Sequence, residues 1–397
     1  MQTIPITENV HWVGAVDWDR RLFDALIPLP HGTSYNAYLI QGQDKTALID
    51  AVDPTMTQVL LERLANGPPI DYIISQHAEQ DHSGAIPAVL AVHPQAQIVC
   101  SPQGKNLLLA HLDLRQAQFV TVDDGDVLPL GGKTLQFLHT PWVHWPETIS
   151  TYLQEDRILF SCDWFGSHLA TSDPVMQDYG RVIVAAKRYY AEIMMPFRGI
   201  IQRNMAKLDR LDMTMIAPSH GPVHTDPVRI LNACRDWISD QPKNLVVVPY
   251  ISMHGSTRVM VDQLIDRLTG HRVPVHRFDL SVTDLGELAI SLVDTATLVI
   301  GTPTFHRSPH PTVYYATHLA NALRPKLAYV SVIGSYGWST RAVEEVNALI
   351  PNLKVEVLSP VLARGYPSEE SLIAVDELAD TIARHHAEQS WELPGGY

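Results

Sequence analysis

Six consecutive residues, His77-Ala78-Glu79-Gln80-Asp81-His82, carry four potential metal ligands. They follow an apolar segment, residues 72–75, that reads as a buried strand. A loop so dense in ligands needs other parts of the chain to close the coordination sphere, which limits the folds open to it. His144, Asp163 and His220 meet that need, because each follows a predicted strand or apolar segment. Three imidazoles with one carboxylate would hold a single metal ion. Four imidazoles with three carboxylates are enough for two. The donor set is rich in hard oxygens and contains no thiolate, which argues against a structural cysteine-type zinc site. In an extended stretch His77, Glu79 and Asp81 share one face, and His82 falls where the loop passes into a helix. Taken singly, His144 reads as a structural histidine and Asp163 as a turn aspartate. Their order and contexts together carry the metal reading.

A length of 397 residues exceeds one typical core and predicts two domains. Hydrophobic residues make up 46% and charged residues 18%, which suits a globular rather than a disordered chain. The net charge of −14 makes nucleic acid and anionic membrane poor partners. Cys100, Cys162 and Cys234 lie far apart and form no C-x-x-C pair, so the 397 residues contain no rubredoxin or ferredoxin motif. The start, Met1-Gln2-Thr3-Ile4-Pro5, lacks the features of a signal peptide. No apolar run reaches membrane-span length. A cytoplasmic protein is the expectation.

The first part of the chain reads as short strands, at residues 10–14, 38–41, 46–50, 72–75, 97–100, 119–122, 135–139, 151–154 and 158–161. Helices are predicted over 56–65, 85–92, 182–193 and 205–211, with Ser83 as cap and Pro87 in the first turn of the second. The polar stretch Asp240-Gln241-Pro242-Lys243-Asn244 marks a boundary. It predicts domains 1–243 and 244–397. Beyond it, strands at 245–250, 273–279, 298–301, 327–333 and 354–358 alternate with helices at 258–268, 284–292, 312–322, 340–350 and 368–386. Five such units imply a doubly wound parallel sheet.

Three loops of that second half form another constellation. Ser252-Met253-His254-Gly255-Ser256-Thr257 is hydroxyl-rich and opens a helix, so its N–H groups and hydroxyls can hold a phosphate without a lysine. It is neither G-x-G-x-x-G nor a P-loop. Thr302-Pro303-Thr304-Phe305-His306 and Ser335-Tyr336-Gly337-Trp338 follow the third and fourth strands. Loops at the carboxyl ends of strands meet at the switch point of such a sheet. Their amides and aromatics suit an isoalloxazine ring.

The order H-x-E-x-D-H, then His144, Asp163 and Ser219-His220-Gly221, resembles the metallo-β-lactamase fold. Hydrolytic zinc members usually carry a histidine where Glu79 stands. The carboxylate adds negative charge and favours iron in its +2 and +3 states. Together with Gly32-Thr33-Ser34-Tyr35-Asn36-Ala37-Tyr38, His144-Trp145-Pro146 and Tyr189-Tyr190-Ala191, the pattern is similar to the flavodiiron proteins over nearly the whole chain. The resemblance implies an α/β and α+β two-domain fold: a metallo-β-lactamase αββα sandwich followed by a flavodoxin-like five-stranded parallel sheet. It implies two irons, with His77, Glu79 and His144 on one, Asp81, His82 and His220 on the other, and Asp163 bridging. It implies FMN on the three loops, and Glu79, Trp145, His168 and Tyr190 near the chemistry. Cys162 reads as packing. The implied activity is reduction of O2 to water or NO to N2O. Electrons would come from a separate donor: a rubredoxin-like protein, a reduced deazaflavin or a flavoprotein reductase. A head-to-tail homodimer, or a dimer of such dimers, would bring one subunit's flavin to the other's irons. Three departures stand out: His254 for a common tyrosine, His306 for a common asparagine, and Glu147 for the aspartate that usually follows H-W-P. The competing reading is a zinc hydrolase with a flavodoxin-like appendage.

Overall fold

The computed structural model describes residues 3–175 and 178–395. The chain divides into two compact units. One comprises Met1–Tyr190 with Phe197–Ile238, and the other Ala191–Pro196 with Ser239–Tyr397.

The first unit is built on two sheets. Seven strands run in the order Ile4–Pro5, Val10–Trp12, Tyr38–Gln41, Thr46–Ile49, Tyr72–Ile74, Gln97–Cys100 and Gln118–Thr121. The last three joins are parallel. Five strands form the second sheet: Val127–Pro129, Thr134–His139, Ile149–Leu153, Ile158–Cys162 and Met215–Pro218. Period-two alternation explains how the layers stack. Ile40, Ile49, Ile74 and Val99 pack with Leu135, Phe137, Ile149 and Phe160 of the second sheet. Their chain neighbours Leu39, Leu48, Ile73 and Ile98 point the other way, onto helix residues Leu60, Ile86, Val89 and Leu108. Ile149–Leu153 and Ile158–Cys162 are buried at every position, so the second sheet is also covered on both faces.

The second unit has the strand order Val275–Asp279, Lys243–Tyr250, Thr295–Phe305, Tyr329–Tyr336 and then Glu356–Val357 with Val361–Arg364. These joins are all parallel, and the 2-1-3-4-5 order is that of flavodoxin. Val246, Val248, Val299 and Ile333 pack against Val261, Leu264, Val375 and Ile382 of the covering helices.

Several local expectations shift. The fifth strand is interrupted around Pro360, which has no N–H to give the ladder. The helix expected at 205–211 is Arg198–Leu208. Helices Pro102–His111 and Pro227–Ile238 were not anticipated, although each begins at proline, a favoured first helical residue. Ser83 does not cap helix Ile86–Val92; its hydroxyl donates to the carbonyls of Ala78 and Glu79.

Candidate functional site

The ligand-rich run is not extended throughout. The strand ends at Ile74, Glu79 is still extended (φ −60°, ψ 144°), and a helical turn, Gln80–Ser83, starts next. Asp81 therefore leaves the face shared by His77 and Glu79. The break separates the run into two pairs that serve two clusters.

In the first cluster Glu79 Oε2 lies 3.1 Å from His77 Nε2 and 3.2 Å from His144 Nε2. In the second, His220 Nε2 lies 3.1 Å from Asp81 Oδ2, and His82 Nε2 lies 3.4 Å from Asp81 Oδ1. Asp163 touches both. Its Oδ2 is 3.4 Å from His144 and 3.7 Å from His77. Its Oδ1 is 3.1 Å from His82 and 3.3 Å from His220. All seven predicted ligands thus meet. Among the described residues, the groups His77-Glu79-His144-Asp163 and Asp81-His82-His220 each bring their donor atoms within 4.8 Å of one another.

The surroundings aim these donors. His220 follows strand Met215–Pro218 and gives Nδ1–H to Ser34 O at 2.7 Å. Ser34 Oγ accepts from Gly221 N, and Asn36 Nδ2 donates to the carbonyls of Pro218 and Gly221. Gly221 needs to be glycine: its φ is +76°, and a Cβ would collide with Ser167. His77 gives Nδ1–H to Glu147 Oε1 at 2.7 Å and carries the indole of Trp145 edge-on, with centroids 4.9 Å apart. Holding Nδ1 in this way leaves each Nε2 as the metal-facing atom.

Both oxygens of Asp81 and Oδ2 of Asp163 are buried without a hydrogen-bond donor. Buried carboxylate oxygens normally have partners, and a cation would satisfy these. The titration of the imidazoles agrees. Burial alone would lower them, but the carboxylates outweigh it, raising His77 to about 9 and His82 and His220 to about 10. Against the effect of burial, His144 and His77 hold Glu79 below the usual carboxylate range, and His82, His220 and His77 do the same for Asp163. The pocket is a concentrated site for positive charge, and the residues fit metal.

Three neighbours modify the sequence reading. Tyr190 donates to Trp237 O at 3.4 Å, whereas Tyr189, one residue earlier, donates to Asp163 Oδ1 at 2.8 Å. Adjacent helical residues point about 100° apart, so only one of the pair reaches the ligand. Asp50, at the end of strand Thr46–Ile49, was missed. It accepts from Gln76 N and Nε2 at the start of the ligand loop, and from Ser219 Oγ beside His220. Cys162 lies closer to the ligands than alternation implied, with its donor atom within 4.8 Å of those of His82 and Asp50. Burial raises its pKa well above the ordinary value, so it remains a neutral thiol.

His168 sits beside the second cluster, its ring 5.2 Å from that of His220 and 4.8 Å from that of Tyr189. Its Nδ1 meets Thr33 Oγ1 at 2.9 Å, and Nε2 is buried without a partner. Burial holds its pKa well below the ordinary histidine value.

In the second unit, strand register brings the three loops together. Tyr250 pairs with Gly301, and Gly301 with Ile333. The first strand ends at Tyr250, whereas the other two run on, with Thr302 paired to Gly334 and Pro303 to Ser335, so residues 302–305 and 335–336 of the expected loops are strand ends. Ser252 Oγ accepts from Gly255 N at 3.1 Å and Arg258 N at 3.3 Å, while Gly255, at φ +90°, opens helix Ser256–Gly270. The first helical N–H groups, Ser256 and Thr257, have no intrahelical acceptor and are available to an anion. Thr257 Oγ1 is 3.3 Å from Ser335 Oγ, tying the first loop to the third. Thr304 Oγ1 donates to Thr340, and Thr302 Oγ1 accepts from His310 N. Met253, His254, Phe305, His306 and Trp338 are exposed along these loops. Pro303 is buried, while Tyr336 is half-buried.

Residues 33–221 match the ODP family beta lactamase. The chain is 34% identical to a nitric oxide reductase of Moorella thermoacetica, over 98% of this chain and 100% of that one. The fold superimposes on the rubredoxin oxygen:oxidoreductase of Desulfovibrio gigas with a TM-score of 0.94 and 26% identity, covering 98% and 99% of the two chains. The flavodiiron protein of Giardia intestinalis gives 0.90 and 25%, covering 99% of each. With paired ligand clusters on a two-sheet unit, a flavodoxin-ordered sheet after it and relatives matched end to end, the chain belongs to the flavodiiron family of oxidoreductases.

Proposed function

We propose that this protein passes electrons from FMN, held by the loops at 252–257, 302–306 and 335–338, to two irons, and reduces O2 to water or NO to N2O. The observation that carries the reading is Asp163, whose two oxygens each face a separate histidine–carboxylate cluster. His77, Glu79 and His144 would hold one iron, and Asp81, His82 and His220 the other. Glu79 in place of a histidine makes the set oxygen-rich, which favours iron over zinc. When bound, two adjacent irons supply electrons in pairs and offer open positions to a diatomic gas.

The chain's own groups handle position and protons. Glu147 and Ser34 O fix the tautomers of His77 and His220. Tyr189 steadies the Asp163 carboxylate through Oδ1. Thr33 Oγ1 donates to Ser34 O at 3.3 Å, so His168 gives Nδ1–H to Thr33 and leaves Nε2 as a neutral hydrogen-bond acceptor. Trp145 covers His77 on one side. We assign the domains as 1–243 and 244–397, and place the protein in the cytoplasm. No described helix is long and apolar enough to cross a membrane.

The three cysteines are buried and free, so these residues supply no four-cysteine iron site, and we assign electron supply to a rubredoxin-like protein, a deazaflavin or a flavoprotein reductase. Family membership supports a head-to-tail homodimer, alone or paired into a tetramer, in which one subunit's flavin serves the other's irons.

The test is anaerobic reduction of purified protein, followed by parallel O2 and NO consumption with metal and flavin analysis. Two irons, one FMN and turnover of either gas are expected. Zinc without flavin, or no consumption by fully loaded protein, would overturn the reading.

A further inference from the structure

The two halves of the site are backed differently, although each has a buried carboxylate near it: Asp50, within 4.8 Å of the donor atom of His82, has its oxygens engaged by Gln76 and Ser219. Behind His220 stands a neutral group, the carbonyl of Ser34, 2.7 Å from Nδ1. Behind His77 stands a full negative charge, the carboxylate of Glu147, also at 2.7 Å. Its side chain is 1% exposed. Oε1 also accepts from Ala78 N at 3.0 Å, and Oε2 has no donor. The charge is therefore directed at the loop carrying His77. Its position is preset: the Glu147 carbonyl accepts from Ser101 Oγ, and the same hydroxyl caps helix Pro102–His111 through Gly104 N. A carboxylate only accepts, so His77 must donate Nδ1–H and keep its Nε2 lone pair for the metal. A carboxylate partner also makes the imidazole a more basic ligand than a carbonyl partner does.

We propose that Glu147 is the positioning residue of His77 and makes the two metal positions unequal, with the His77–Glu79–His144 position binding iron more tightly than the Asp81–His82–His220 position. The inference rests on the two-metal reading above.

The test is anaerobic titration of metal-free full-length protein with Fe(II) against a competing chelator. The wild type takes up two equivalents with distinct affinities. In Glu147→Gln, which keeps an acceptor for Nδ1–H but loses the charge, the tighter equivalent weakens about 10–100-fold. The other changes less, since the Glu147 carboxylate is hydrogen-bonded to His77 and Ala78 and to no ligand of that position. Glu147→Asp keeps the charge one methylene short and gives the same selective pattern with a smaller loss. His77→Ala combined with Glu147→Gln loses no more than His77→Ala alone. Equal weakening of both equivalents would mean that Glu147 merely holds the loop carrying ligands of both positions, and would overturn the proposal. So would no change in either variant. A wild type that binds one equivalent defeats the two-metal reading itself, whatever the variants do. FMN content and circular dichroism confirm that each variant is folded.

Discussion

The two units build their sites by opposite means. The first uses side chains: buried imidazoles and carboxylates from four separated segments, converging on Asp163. The second uses backbone: three loops brought together by parallel register, with hydroxyls tying them to one another. The contrast extends to histidine chemistry. His77, His82 and His220 are buried among carboxylates, and those neighbours outweigh burial, holding them at about 9 to 10. His386 is also buried, but faces the hydroxyl of Thr297, the amide of Asn244 and the ring of Trp391. There burial wins, with a push from His385, and His386 falls to about 4. Neighbours, not burial alone, decide the sign.

Replacing Asp163 with alanine tests the side-chain site most severely. Because it alone touches both clusters, iron content should fall below one per chain and gas turnover by more than about 100-fold, exceeding what losing a ligand's supporting group costs. FMN content should stay at the wild-type level. Loss of flavin as well would show that the two sites are not separately built.

The backbone site is probed by Gly334→Ala. An added Cβ would overlap the carbonyl of Thr302 in the neighbouring strand. Overpacking against backbone should destabilise the second unit by about 3 kcal/mol and weaken FMN binding, read by denaturant unfolding and flavin fluorescence. Iron content should not change.

Acid separates the two histidine environments. His386 has its folded pKa depressed from 6.5 to about 4. Its contribution is complete above pH 6.5. As pH falls toward 4, the unfolded chain binds a proton that the folded unit refuses, and stability drops by about 3 kcal/mol before the loss levels off. Urea unfolding of wild type and His386→Gln at pH 7, 5.5 and 4.5 measures this. The variant should lose less, and an identical slope would refute the assignment.

The smallest effect is expected from Tyr189→Phe. One hydrogen bond to Asp163 is lost, worth about 1 kcal/mol, so turnover should fall a few-fold with iron retained. Tyr190→Phe should change it less. If the order reverses, the neighbouring tyrosine is the one that matters.

The clustering of seven candidate donors was legible because metal binding demands particular side chains, and these stand out at strand ends whatever the fold does around them. The parallel sheet of the second unit was legible from its repeating apolar segments and helices. The choice between Tyr189 and Tyr190 was not, because neighbouring residues on a helix differ only in direction, and direction depends on where that helix packs. Asp50 was also hidden. A single aspartate after a strand carries no local mark, and its role comes from Gln76 and Ser219, which are 26 and 169 residues away.

Sequence alone determined the chemistry available here: seven side chains of metal-binding type, a carboxylate at position 79, and hydroxyl-rich loops suited to a phosphate. Those are properties of residue type and spacing. Tertiary structure decided how they are shared. The helical turn at Gln80 sends His77 and Glu79 to one cluster and Asp81 and His82 to the other. Long-range packing then places Asp163 between them and sets a charge behind His77 but a neutral carbonyl behind His220. Such assignments arise from contacts between distant segments, and local sequence pattern does not encode them.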